Sequence, residues 1–94
     1  MTLEIDSSKQ GPLRGVRILD LATVVAAPFS GTLCADMGAE VVKVELPNGG
    51  DALRTLAPVW QEHELFWKVA NRGKKGITLD VRQAEGRNLF LRML

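Results

Sequence analysis

The chain has one cysteine, Cys34, which leaves no partner for an internal disulfide and no set of thiolates for a metal. No apolar run approaches the ~18–20 residues needed to cross a bilayer. The opening Met1-Thr2-Leu3-Glu4-Ile5-Asp6 lacks a basic stretch ahead of an apolar one, so the expectation is that it is not a signal peptide. The expectation is a cytoplasmic protein without membrane contact. Nor is there an excess of one charge. Twelve Lys and Arg stand against 11 Asp and Glu, a net charge of +1, which argues against a nucleic-acid partner. No G-x-G-x-x-G follows a strand-like segment, which disfavours NAD or FAD, and Ser30 has no G-x-S-x-G around it. The one histidine, His63, sits between Glu62 and Glu64 with no second histidine or cysteine near it, and reads as a surface residue.

The 94 residues are 46% apolar and 24% charged, the composition of one small globular unit. The charge is unevenly placed. Residues 1–70 hold six basic and nine acidic side chains, whereas residues 71–94 hold six basic and two acidic ones. Arg72, Lys74 and Lys75 crowd into four positions beside two glycines, Gly73 and Gly76, which suggests an anion site.

Patterning gives a loose polar leader over residues 1–10 and an α/β arrangement beyond it. Val16–Leu21 reads as a buried strand. Pro28 opens a helix with Phe29, Leu33 and Met37 as its apolar stripe and Gly38 as its cap. Glu40–Glu45 is a second strand, 46–62 a long loop, and 64–70 a short helix burying Phe66. Gly76–Val81 is a third strand, followed by a helix from Gln83 with Leu89, Phe90, Met93 and Leu94 available for burial. Strand, helix, strand within about thirty residues is a βαβ unit, so the strands should be parallel. The last helix has no cap and no polar tail, and the expectation is a truncated piece of a longer protein. Ligands of such sheets bind at the carboxyl ends of the strands, and the small-residue junction Leu21–Pro28 lies there. Asp20 ends its strand where it can face a pocket or cap the next turn.

The wording of these segments is informative in order. Gly11–Leu21 resembles the opening of the type III CoA-transferases, the family of formyl-CoA transferase, carnitine dehydratase, the bile-acid-inducible protein and α-methylacyl-CoA racemase. The similarity continues through Val25-Ala26-Ala27-Pro28, Ala35–Ala39, Val41–Pro47, Gly49-Gly50-Asp51 with Arg54, Asn71–Asp80 and Ala84–Arg87. It covers residues 11–94, the N-terminal part of a family member. Two positions depart from the pattern: Ala27 replaces the usual glycine, and Leu46 replaces an arginine found in some members.

The resemblance implies a Rossmann-like parallel-sheet domain, an interlocked homodimer, and no permanently bound cofactor. Coenzyme A or an acyl-CoA would be substrate and a carboxylic acid the acceptor. The reaction would pass through intermediates on an aspartate downstream of Leu94, so no catalytic residue is assigned, and Asp20, Asp36, Asp51 and Asp80 do not take that role. What carries over is part of the CoA site: Thr23, Val24, Val25 and Ala26 near the acyl end, Leu79 and Arg82 at the nucleotide end, and the basic pair Lys74 and Lys75. The alternatives are the racemase branch of the family, or a non-catalytic remnant.

Overall fold

A computed structural model of the chain describes residues 4, 5 and 8–94; the leader expected over 1–10 therefore lies partly outside the described residues, as does the start of the segment compared with a signal peptide. The sheet is organised by strand β2 (Glu40–Glu45), whose six residues are all buried. Its valines suit a strand covered on both faces. Strand β1 (Arg17–Asp20) pairs with it in parallel, in the register Arg17 to Glu40 and Asp20 to Lys43. On the other side lies a strand that the sequence places at 76–81 but that runs from Lys74 to Thr78. It pairs in parallel with β2, Val41 opposite Lys74 and Val44 opposite Ile77.

Both parallel pairings are as the βαβ pattern requires. The displacement of the third strand has a local cause. Hydrogen bonding to β2 is continuous from Lys74, whereas Leu79 makes the last link to Glu45 through its N–H and the chain then turns at Asp80.

Helix α1 (Ala26–Asp36) crosses from β1 to β2, starting two residues before Pro28. Its packing corrects the sequence reading. The buried face is Pro28, Gly31, Thr32 and Ala35, whereas Phe29, Leu33 and Met37 are about two-fifths exposed. Small residues let the helix lie close on the sheet: a methyl on Gly31 would sit 3.6 Å from Val41. Ala35, Ala39 and Val41 form the centre of the core, with Leu13, Ile18 and Cys34 packed on it. The helix ends as the sequence indicates. Gly38 takes φ +101°, its N–H bonds Ala35, and the N–H of Ala39 reaches back to Cys34, the paired bonds of a glycine-terminated helix.

The long loop contains a 3-10 turn (Ala52–Thr55) and a two-residue hairpin of β3 (Val59–Trp60) and β4 (His63–Glu64), which leads into helix α2 (Leu65–Ala70). His63 is exposed, Phe66 and Trp67 are half-buried, and the Thr32 hydroxyl bonds the Ala70 carbonyl, tying α2 to α1. Strand β5 (Lys74–Thr78) follows α2, and the last helix is α3 (Ala84–Met93). In it Phe90 and Met93 are half-buried, while Leu89, Leu91 and Leu94 are exposed. No helix among the described residues is long and apolar enough to cross a membrane.

Candidate functional site

Parallel strands deliver all their carboxyl ends to one edge of the sheet. At that edge a cleft of about 180 Å³ is lined by Leu21, Ala22 and Thr23 after β1, by Lys43 to Leu46 with Gly50 and Asp51 around the end of β2, and by Leu79, Val81 and Arg82 after β5. Of the residues singled out in the sequence, Thr23, Leu79 and Arg82 meet here. Val24, Val25 and Ala26 continue from Thr23 into α1 and do not line the cleft. Lys74 and Lys75 do not line it either. They border a separate depression of about 220 Å³ with Arg54, Trp67 and Asn71.

The charges beneath the cleft follow from strand register. Side chains alternate faces along a strand, so Asp20, Lys43 and Lys74 all point to the α1 side of the sheet. They form a buried chain of ion pairs. Lys74 Nζ donates to Asp20 Oδ2 at 2.8 Å and to the Pro28 carbonyl at 2.6 Å. Lys43 Nζ donates to Asp51 Oδ2 at 2.8 Å and to the Ala22 carbonyl at 2.7 Å. All four charged side chains are at most 4% exposed. Two lysines and two aspartates balance, and further bonds run to the backbone of the turn after β1, of α1 and of the 3-10 turn, as buried charge requires. Of the two sequence readings of Asp20, the cap is the one found: Oδ1 accepts from the Ala22 N–H at 3.1 Å, while Oδ2 is paired with Lys74 and the residue does not line the cleft.

Asp51 has the most partners. Oδ1 accepts from the N–H groups of Val24 and Leu53, both at 2.9 Å, Oδ2 accepts from Lys43, and its own N–H donates to Glu45 Oε2 at 2.8 Å. Val24 takes φ +68°, a left-handed conformation that costs a β-branched residue about 1–3 kcal/mol. Lys43 and Asp51 were not picked out by sequence reasoning. The available signal was a lysine inside a valine-rich buried strand, which needs a carboxylate within reach.

Around this floor lie more exposed pairs. Glu45 holds Arg54 through both oxygens, at 2.7 and 2.8 Å, and Arg54 stacks over the Trp67 ring with its guanidinium carbon 3.9 Å from the centroid. On the opposite face of β2, Glu40 accepts from Arg17 at 2.8 Å and from Lys75 at 2.9 Å. Arg82, 62% exposed, grips Asp80 with Nε at 2.9 Å and Nη2 at 3.2 Å. This pairing lowers the pKa of Asp80. A separate surface pair joins Arg72 to Asp36 at 2.7 Å. Each of Asp20, Asp36, Asp51 and Asp80 thus has a cationic partner. Among the described residues, no group of three or more His, Cys, Asp or Glu is arranged to hold a metal.

Three buried carboxylates are set for acid sensitivity. The Arg54 hydrogen bond holds Glu45 below its ordinary 4.5. Burial would raise Asp51 above 3.8 and Glu40 above 4.5, but donors from Leu53, Lys43 and Val24 outweigh it at Asp51, and Lys75 and Arg17 outweigh it at Glu40, so both are lowered. A carboxylate with a depressed folded pKa contributes stability that is complete above its unfolded value and is lost as pH falls through the folded one. The urea midpoint of the full chain is therefore expected to be flat near about pH 6 and to fall below about pH 4.5. Glu45→Gln should flatten part of that fall; an unchanged profile would show that Glu45 is not one of the groups responsible.

The match with known proteins is extensive. The model of CoA-transferase family III fits residues 13–94. The chain belongs to that family. The beta subunit of succinyl-CoA–L-malate CoA-transferase from Chloroflexus aurantiacus is 44% identical over 84 residues, covering 88% of this chain and 21% of the relative. Acetyl-CoA:oxalate CoA-transferase from Acetobacter aceti is 35% identical over 94 residues, covering 100% of this chain and 24% of the relative. Among solved structures, a CAIB/BAIF family protein from Brucella suis superposes with a TM-score of 0.78 at 38% identity, over 89% of this chain and 23% of that one. This family III chain therefore spans about a fifth to a quarter of the length of the relatives it matches.

Proposed function

We infer that this segment supplies part of the CoA-binding site of an enzyme that transfers CoA between carboxylic acids. The observation that carries the reading is the cleft where Thr23, Leu79 and Arg82 converge at the carboxyl ends of three parallel strands. A crevice in that position is where open α/β sheets receive their ligands. Support comes from the family itself and from relatives that are named as CoA-transferases for succinyl-CoA with malate and acetyl-CoA with oxalate. Those names favour the transferase over the racemase branch.

The chemistry proposed is acyl exchange on an enzyme carboxylate. The carboxylate attacks the thioester carbonyl and forms a mixed anhydride as CoA leaves as thiolate. The thiolate then attacks the enzyme's side of that anhydride, releasing the first acid and leaving an aspartyl-CoA thioester. The acceptor acid repeats the two steps in reverse. The family resemblance assigns the nucleophile to an aspartate downstream of Leu94, so Asp20, Asp36, Asp51 and Asp80 are not given that role. An interlocked homodimer belongs to the same proposal.

Within this segment, Arg82 is assigned to a CoA phosphate, because its planar fork suits phosphate oxygens and its exposed head sits on the cleft wall. It must share or leave Asp80 to do so, which moderates the effect. Arg82→Ala is expected to raise KM for the acyl-CoA about tenfold and to leave kcat nearly unchanged, as loss of a remote uniform contact does. Wild type should also prefer CoA to dephospho-CoA, and the variant should lose that preference if the contact is the 3′-phosphate. An unchanged KM would show that Arg82 only pairs with Asp80.

A further inference from the structure

We propose that Asp51 is a positioning residue that latches the turn after β1 in its left-handed conformation and so shapes the cleft wall for acyl-CoA. The inference rests on the CoA-site reading above. Val24 is a β-branched residue at φ +68°, where such residues do not settle unaided. Its N–H is held by Asp51 Oδ1 at 2.9 Å, across 27 residues of sequence. The same carboxylate is anchored at 2.8 Å by Lys43, which also grips the Ala22 carbonyl two residues before Val24. Asp51 therefore holds the turn from one side directly and, through Lys43, from the other. Ala22, Thr23 and Asp51 itself all line the cleft, so rotation at Val24 would move Thr23 and change the wall. Strain that is over-determined by its surroundings is a known property of ligand-binding turns.

The test uses the full chain. In Asp51→Asn, amide hydrogen exchange at Val24 is expected to quicken about tenfold or more, with exchange inside α1 unchanged, because a charge-assisted acceptor is replaced by a neutral one that has lost its anchor. KM for acyl-CoA should rise about tenfold in the Val24 background and less than about threefold in a Val24→Gly background, since glycine adopts positive φ without help. Asp51→Glu, which keeps the charge opposite Lys43 but displaces the acceptor from the turn, should behave as Asp51→Asn does and covers the case in which the latter fails to fold. Unchanged exchange at Val24, or equal KM losses in both backgrounds, would overturn the proposal. A wild type that neither binds nor turns over any acyl-CoA would sink the CoA reading instead, and exchange at Val24 would then decide the latch alone.

Discussion

Lys43→Met is expected to cost the full chain about 3–5 kcal/mol of stability, the range for removing one partner of a buried ion pair. Methionine keeps the apolar stem but leaves the Asp51 carboxylate, 1% exposed, without its cation and the Ala22 carbonyl without its donor. Asp20 retains Lys74, so the loss falls chiefly on Asp51. The defect should shrink in acid, as protonation neutralises the stranded carboxylate. Lys43→Met combined with Asp51→Asn should recover at least half of the loss, because a neutral amide is cheaper to bury than an unpaired charge. Denaturant midpoints of the single and double variants measure this. A loss under about 1 kcal/mol for the single change would mean that water reaches the pair.

Gly86→Ala should be nearly as damaging, for a steric reason. A methyl at this buried glycine would stand 2.0 Å from the Asp80 carbonyl oxygen and 2.7 Å from its carbon. Backbone cannot give way as a side-chain tip can, so α3 must lift from the turn at Asp80. Overpacking of this kind costs about 3 kcal/mol. Gly76→Ala is the control. It lies on β5 with nothing within 4 Å of the added methyl, and it should be neutral or slightly stabilising. Thermal melts of the two variants separate the cases; equal melting temperatures would show that the α3 contact yields freely.

How far the sequence discloses this structure depends on how local the determinants are. β2 was legible to the residue because its valines and the following Pro47-Asn48-Gly49-Gly50 are local signals. The parallel order followed from handedness. The α1 stripe misled because hydrophobicity was read without size. Close approach to the sheet selects Gly31, Thr32 and Ala35, and the bulky residues are left outward. The third strand was displaced because its bounds depend on bonding to β2, not on its own apolar content. Thr23, Leu79 and Arg82 were accessible through family resemblance. The ion-pair floor was not: Asp20, Lys43, Asp51 and Lys74 lie in four separate family-like segments, and only the tertiary fold, strand register for three of them and the loop after β2 for Asp51, brings their charges together.

Trp67 lies half-buried beneath the Arg54 guanidinium, which Glu45 fixes in place, while Trp60 is 60% exposed. The two indoles therefore occupy optically distinct surroundings. Trp60 supplies a solvent-like emission that is insensitive to the sheet. Trp67 supplies a component that changes when Arg54 moves off its ring, as happens when acid discharges Glu45 or when a ligand draws the guanidinium away. The chain thus carries its own label beside the strand ends, and intrinsic fluorescence can follow events there without any added probe.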